Sequence, residues 1–83
     1  MKYTVCWRPE IERKLNEIWN EATDKNAVSK AADAMDHELR TRPWSVGESR
    51  DELGRFLTLG PLAIYYDVHE LDRIVDVWSV FRA

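Results

Sequence analysis

Eighty-three residues make a single domain, because a chain this short buries only about 60% of its unfolded surface and cannot support two cores. Hydrophobic residues are 45% and charged ones 33%, with three Gly and three Pro, the balance of an ordinary folded domain rather than a disordered chain. A net charge of −3 argues against a surface built for sequence-independent nucleic-acid binding, which requires excess Lys and Arg.

The chain opens with Tyr3, Val5 and Trp7 alternating with Lys2, Thr4 and Cys6, the period of a strand with one face on a core. This opening lacks the apolar core of a signal peptide, and nowhere does the chain approach the roughly 20 apolar residues that span a bilayer. Cys6 is the only cysteine, which fits a reducing cytoplasm, and in a strand it reads as a small core hydrophobe. Pro9 stops the strand and opens an amphipathic helix carrying Ile11, Leu15, Ile18, Trp19 and Ala22, with Trp7 and Trp19 on the core faces of their elements. Thr23-Asp24 is a polar break suited to capping a second helix, whose stripe is Val28, Ala31, Ala32, Met35 and Leu39. Thr41-Arg42-Pro43 ends that helix, and Trp44 to Glu52 reads as a loop around Gly47. Arg55–Leu59, a Gly60-Pro61 turn, Leu62–Val68, a polar turn from His69 to Asp72, and Arg73–Phe81 then predict three strands in an antiparallel meander. The expected fold is α+β in two layers, β-α-α-β-β-β, with a helical hairpin packed on a small, mostly antiparallel sheet.

This order, with particular residues, resembles the RelE/ParE superfamily of toxins from bacterial type II toxin–antitoxin systems, also called plasmid stabilisation proteins. The resemblance runs over essentially the whole chain. Its pieces are Tyr3-x-Val5 before a Pro-initiated helix, the Ala-rich second helix ending at Leu39 and Pro43, and Gly47-Glu48-Ser49-Arg50. Gly54-Arg55-Phe56-Leu57, Gly60-Pro61-Leu62, Ile64-Tyr65-Tyr66-Asp67-Val68 and Asp72-Arg73-Ile74-Val75-x-Val77 follow in order. The resemblance implies a cytoplasmic toxin that inhibits growth and is neutralised by a cognate antitoxin covering the helical hairpin and a sheet edge. RelE-type relatives are ribosome-dependent mRNA interferases; ParE-type relatives inhibit DNA gyrase without a nuclease site. The expected partners are therefore the antitoxin and either the ribosome with mRNA or DNA gyrase, with no membrane. A non-toxic relative retained for antitoxin binding is the third alternative.

Cleaving RNA through its own 2′-OH needs a base, positive charge at the phosphorane and an acid for the leaving oxygen. Arg82, near the end of the last strand where RelE-like sequences carry an arginine, is the candidate for phosphate contact, or else a solubilising terminal charge. Arg55 is the second, with pairing to Glu48, Asp51 or Glu52 as its alternative. Tyr66 is the acid/base candidate, with packing as the competing role. Departures from the RelE pattern weigh against cleavage. The positions where RelE carries basic residues hold Gly54, Phe56 and Ala63, and only Ala83 follows Arg82 where many relatives have Tyr or His. His37 reads as a solvated helix residue, and His69 sits with Glu70 and Asp72 in a polar turn. Neither belongs to a metal-binding spacing, and no cofactor is expected. Trp44 and Trp78 are candidate partner anchors, Trp44 alternatively a lid on the core.

Overall fold

The computed structural model describes residues 2–51 and 54–83. Its elements run β1 (Thr4–Trp7), α1 (Pro9–Glu21), α2 (Lys25–Thr41), β2 (Glu48–Ser49), β3 (Gly54–Leu59), β4 (Leu62–His69) and β5 (Ile74–Arg82). The five strands form one sheet in the order β1-β5-β4-β3-β2, antiparallel except for the parallel pairing of β1 with β5. The helical hairpin covers one face, giving the two-layer α+β fold that the periodicities predict.

Local chemistry sets the helix ends. Pro9 occupies the first turn of α1, where its missing N–H costs nothing, and Glu10 and Glu12 suit the positive end of the helix dipole. The Asp24 carboxylate accepts the Ala27 N–H at 3.0 Å and caps α2. Lys25 closes the turn between the helices: its ammonium donates to the carbonyls of Trp19, Asn20 and Ala22 at 3.1, 2.9 and 3.3 Å. They lie at the end of α1, where the last carbonyls lack the next turn's N–H donors; the Ala22 N–H also reaches the Trp19 carbonyl at 3.3 Å.

Ile11 and Ile18 of α1, and Val28, Ala31, Met35 and Leu39 of α2, pack on Leu57, Leu62, Ile64, Tyr66, Val68, Val75, Val77 and Val80. At about 25 cal/mol per Å² of apolar surface, this one core is the main favourable term in folding. Trp19 departs from the expected pattern: it is exposed, lying beside the groove between the helices, with its indole N–H donating to Ser29 Oγ at 3.1 Å. The core needs only a narrow stripe of α1, and Ile18 supplies it. Trp7 stays against the core and donates to Asp36 at 3.0 Å.

Cys6 is a correction. It is exposed on the face away from the helices because Tyr3, Val5 and Trp7 claim the core side of β1. The loop expected from Trp44 to Glu52 also contains a short strand. Glu48 and Ser49 pair with Phe56 and Arg55, extending the sheet by one edge. Gly47 makes this approach possible: it sits at φ +71°, and a Cβ there would come within 2.5 Å of the Phe56 carbonyl. Two exposed polar residues carry no hydrophobic alternation, so the strand left no periodic signal. Glu52, at the end of that loop, lies outside the described residues.

Candidate functional site

The candidate residues are spread over both faces of the sheet. On the helix side, Arg55 and Tyr66 are cross-strand partners on β3 and β4. Tyr66 is fully buried, and its hydroxyl lies 2.9 Å from the carbonyls of both Pro43 and Val46, sharing its single proton between them. Burial raises the Tyr66 phenol above its ordinary value, with the Arg55 guanidinium opposing that shift. Arg55 donates to the carbonyls of Val46 and Gly47 at 3.3 and 3.2 Å, and its guanidinium carbon lies 6.0 Å from the Trp44 ring. Both side chains are thereby committed to holding the 43–47 segment against the sheet.

Arg82 is elsewhere. Its partner is Leu62, four positions before Tyr66 on β4, or roughly 13 Å along the strand. Arg55 and Tyr66 therefore meet, and Arg82 joins neither. Of the carboxylates expected beside Arg55, Glu48 pairs instead with Arg50 at 3.4 Å.

Trp44 is held by its own partner. Its indole N–H donates to Glu70 Oε1 at 2.7 Å, and the Tyr3 hydroxyl donates to the same oxygen. These two donors hold the Glu70 carboxyl below the ordinary range, Tyr3 contributing most, while its hydrogen bond to Glu70 raises the Tyr3 phenol. Arg73, in the left-handed region at φ 54°, pairs with Glu70 at 3.2 Å and lies 5.2 Å from the Tyr3 ring. The cluster ties β1, the 43–47 segment and the β4–β5 turn together. His69 ends β4 rather than entering that turn.

The second region is the sheet face that no helix covers. A β-bulge in β5 shapes it: Tyr65 pairs with Ser79 but Tyr66 with Val77, so Trp78 is the extra residue. Trp78, alternating with buried Val75 and Val77, lies on the open face with Tyr65, their rings 5.2 Å apart and 21° from parallel. Phe56 adds a ring 4.9 Å from Tyr65, and Phe81 one 6.0 Å from Tyr65 and 6.2 Å from Phe56. The four rings form one aromatic surface, with Trp78 and Phe81 exposed at 40% and 37%. Ala63 is fully buried beneath it, cross-strand from Phe81.

Charge around this surface is mostly paired. Arg50 lies 5.0 Å from the Phe56 ring, and Arg8 binds Asp76 through two nitrogens at 3.0 and 2.6 Å, a partnership that raises the guanidinium pKa further. Asp67, cross-strand from Asp76, accepts the Trp78 indole N–H at 3.2 Å. Sequence reasoning identified Trp78 but missed Phe56, Tyr65 and Phe81 as its neighbours. Alternation on β3 and β4 places Phe56 and Tyr65 opposite the Leu57 and Ile64 face; Phe81 joins them only once the bulge shifts the phase of β5.

Among the described residues no group of His, Cys, Asp and Glu is arranged to hold a metal ion, and no helix is long and apolar enough to cross a membrane. No protein-family model matches the chain, and no curated protein matches it.

Proposed function

We propose that this chain is the toxin of a bacterial type II toxin–antitoxin pair, acting in the cytoplasm, neutralised by a cognate antitoxin, and inhibiting its target by binding rather than by cleavage. The observation that carries the binding mode is the open aromatic face of Phe56, Tyr65, Trp78 and Phe81. An apolar centre with a polar rim is the anatomy of a protein-binding patch. The toxin assignment is supported by the resemblance along the chain and by its agreement with the two-layer arrangement, an N-terminal strand entering a sheet otherwise built from the C-terminal meander. The antitoxin's place is the groove between α1 and α2, floored by Leu15 and Ala32 with Asp33 on its rim, in a helix-in-groove mode.

Ribosome-dependent mRNA cleavage is the second reading, favoured by the pairing of Arg55 with Tyr66. Against it stand the engagement of both side chains with backbone carbonyls and the remoteness of Arg82. Purified protein tested on programmed ribosomes and on gyrase supercoiling separates the two. The binding reading expects intact mRNA and a loss of supercoiling at micromolar protein. Codon-positioned cleavage that disappears in Arg82→Ala would overturn it.

A further inference from the structure

The pairing of charges on the open face is incomplete at one position. Asp67 and Asp76 are directly opposite each other on β4 and β5, and like charges in that relation destabilise a sheet unless a cation intervenes. Arg8 provides one cation, with two of its nitrogens committed to Asp76, and reaches Asp67 only through the longer-range field. Asp67 itself receives a neutral donor, the Trp78 indole. Beside that carboxylate stand the rings of Trp78 and Tyr65, and beyond them Phe56 and Phe81.

A carboxylate next to an aromatic surface is the chemistry that receives a guanidinium or ammonium: the rings take the cation through their π-faces and the carboxylate takes its N–H groups. A phosphate backbone meets like charge at Asp67, and the nearby cations Arg8 and Arg50 are paired with Asp76 and Glu48. We propose that the open face docks a protein segment that lays aliphatic side chains over Phe56, Tyr65 and Phe81 and delivers an arginine or lysine to the Asp67 carboxylate beside the Trp78 ring. The incoming charge completes the pairing at Asp67, which Arg8, bound to Asp76, does not contact directly. This deepens the binding reading above by naming the partner's chemistry, and its test uses purified protein, independent of growth arrest.

The probe is a short fluorescein-labelled peptide alternating leucine and arginine, compared with a leucine–citrulline peptide and a single-stranded oligoribonucleotide of equal length. Binding is followed by anisotropy at physiological ionic strength, to wild type, Asp67→Asn and Glu17→Gln. Asparagine at 67 still accepts the Trp78 N–H, and Glu17→Gln removes the same charge from an exposed position of α1 outside both the open face and the hairpin groove. Thermal unfolding confirms that each variant is folded. The expected result is saturable binding of the arginine peptide, weakened about tenfold by Asp67→Asn and unchanged by Glu17→Gln. The citrulline peptide should bind wild type as weakly as the arginine peptide binds Asp67→Asn, an arm that needs no variant. Equal effects of the two substitutions, equal binding of the two peptides, tighter binding of the oligoribonucleotide, or no saturable binding would each overturn the proposal.

Discussion

The Tyr66 hydroxyl reaches the carbonyls of Pro43 and Val46 from inside the core. Removing it in Tyr66→Phe deprives the Pro43 carbonyl of its donor, leaves the Val46 carbonyl to Arg55 alone, and should cost about 1–2 kcal/mol in denaturant unfolding. The substitution should also reshape the alkaline limb. Burial raises the folded phenol above its unfolded value of 10.0, so the stability it confers is complete below that value. It falls as pH rises past 10, where the unfolded chain ionises first. Tyr3, raised by Glu70, adds to the same limb. Tyr66→Phe should therefore lose stability less steeply above pH 10. Glu70 carries the opposite sign. Its folded value lies below 4.5, so its contribution is present above that point and is lost as pH falls through the folded value. Glu70→Gln should flatten the acid limb, and urea midpoints across the acid range measure it. Of these contacts, the Asp24 cap was readable because a cap acts within three residues. Glu70 was not, since Tyr3 is 67 residues away and Trp44 26.

At the scale of elements, the helices were legible nearly to their ends because their stripes repeat every three to four residues and Pro9 and Pro43 bracket them. The last strand was legible as a strand but not in its facing. Val75 and Val77 set one phase and Val80 another, and the Trp78 bulge that reconciles them depends on its neighbour strand. The aromatic surface was hidden for that reason: Phe81 reads as core-facing until the phase shifts. The β2 edge was hidden for a different reason, since its pairing rests on the backbone freedom of Gly47. Gly47→Ala places a Cβ against the Phe56 carbonyl at a positive φ and should destabilise the protein by about 2 kcal/mol. Hydrogen exchange should accelerate locally at Glu48–Ser49; unchanged exchange there would mean that β2 forms without the glycine.

The whole molecule uses one layer of helices to cover one face of a five-stranded sheet and leaves the other face aromatic. Composition and periodicity were enough for the two-layer architecture, because each element declares which of its sides is apolar. They were not enough for the site. The arginines and the tyrosine picked for phosphate chemistry are divided between a corner where they hold backbone and a strand end with no share in it. A small core of this kind leaves a stability of only a few kcal/mol, so a partner that covers exposed aromatic surface also stabilises the fold. The central claim, a growth-arresting toxin held in check by a neighbouring antitoxin, is tested most directly by inducing the chain in a bacterial host, alone and together with the gene beside its own. Arrest by the chain alone, relieved by the neighbour, is the predicted result. Unimpaired growth with the protein confirmed soluble and folded would contradict it.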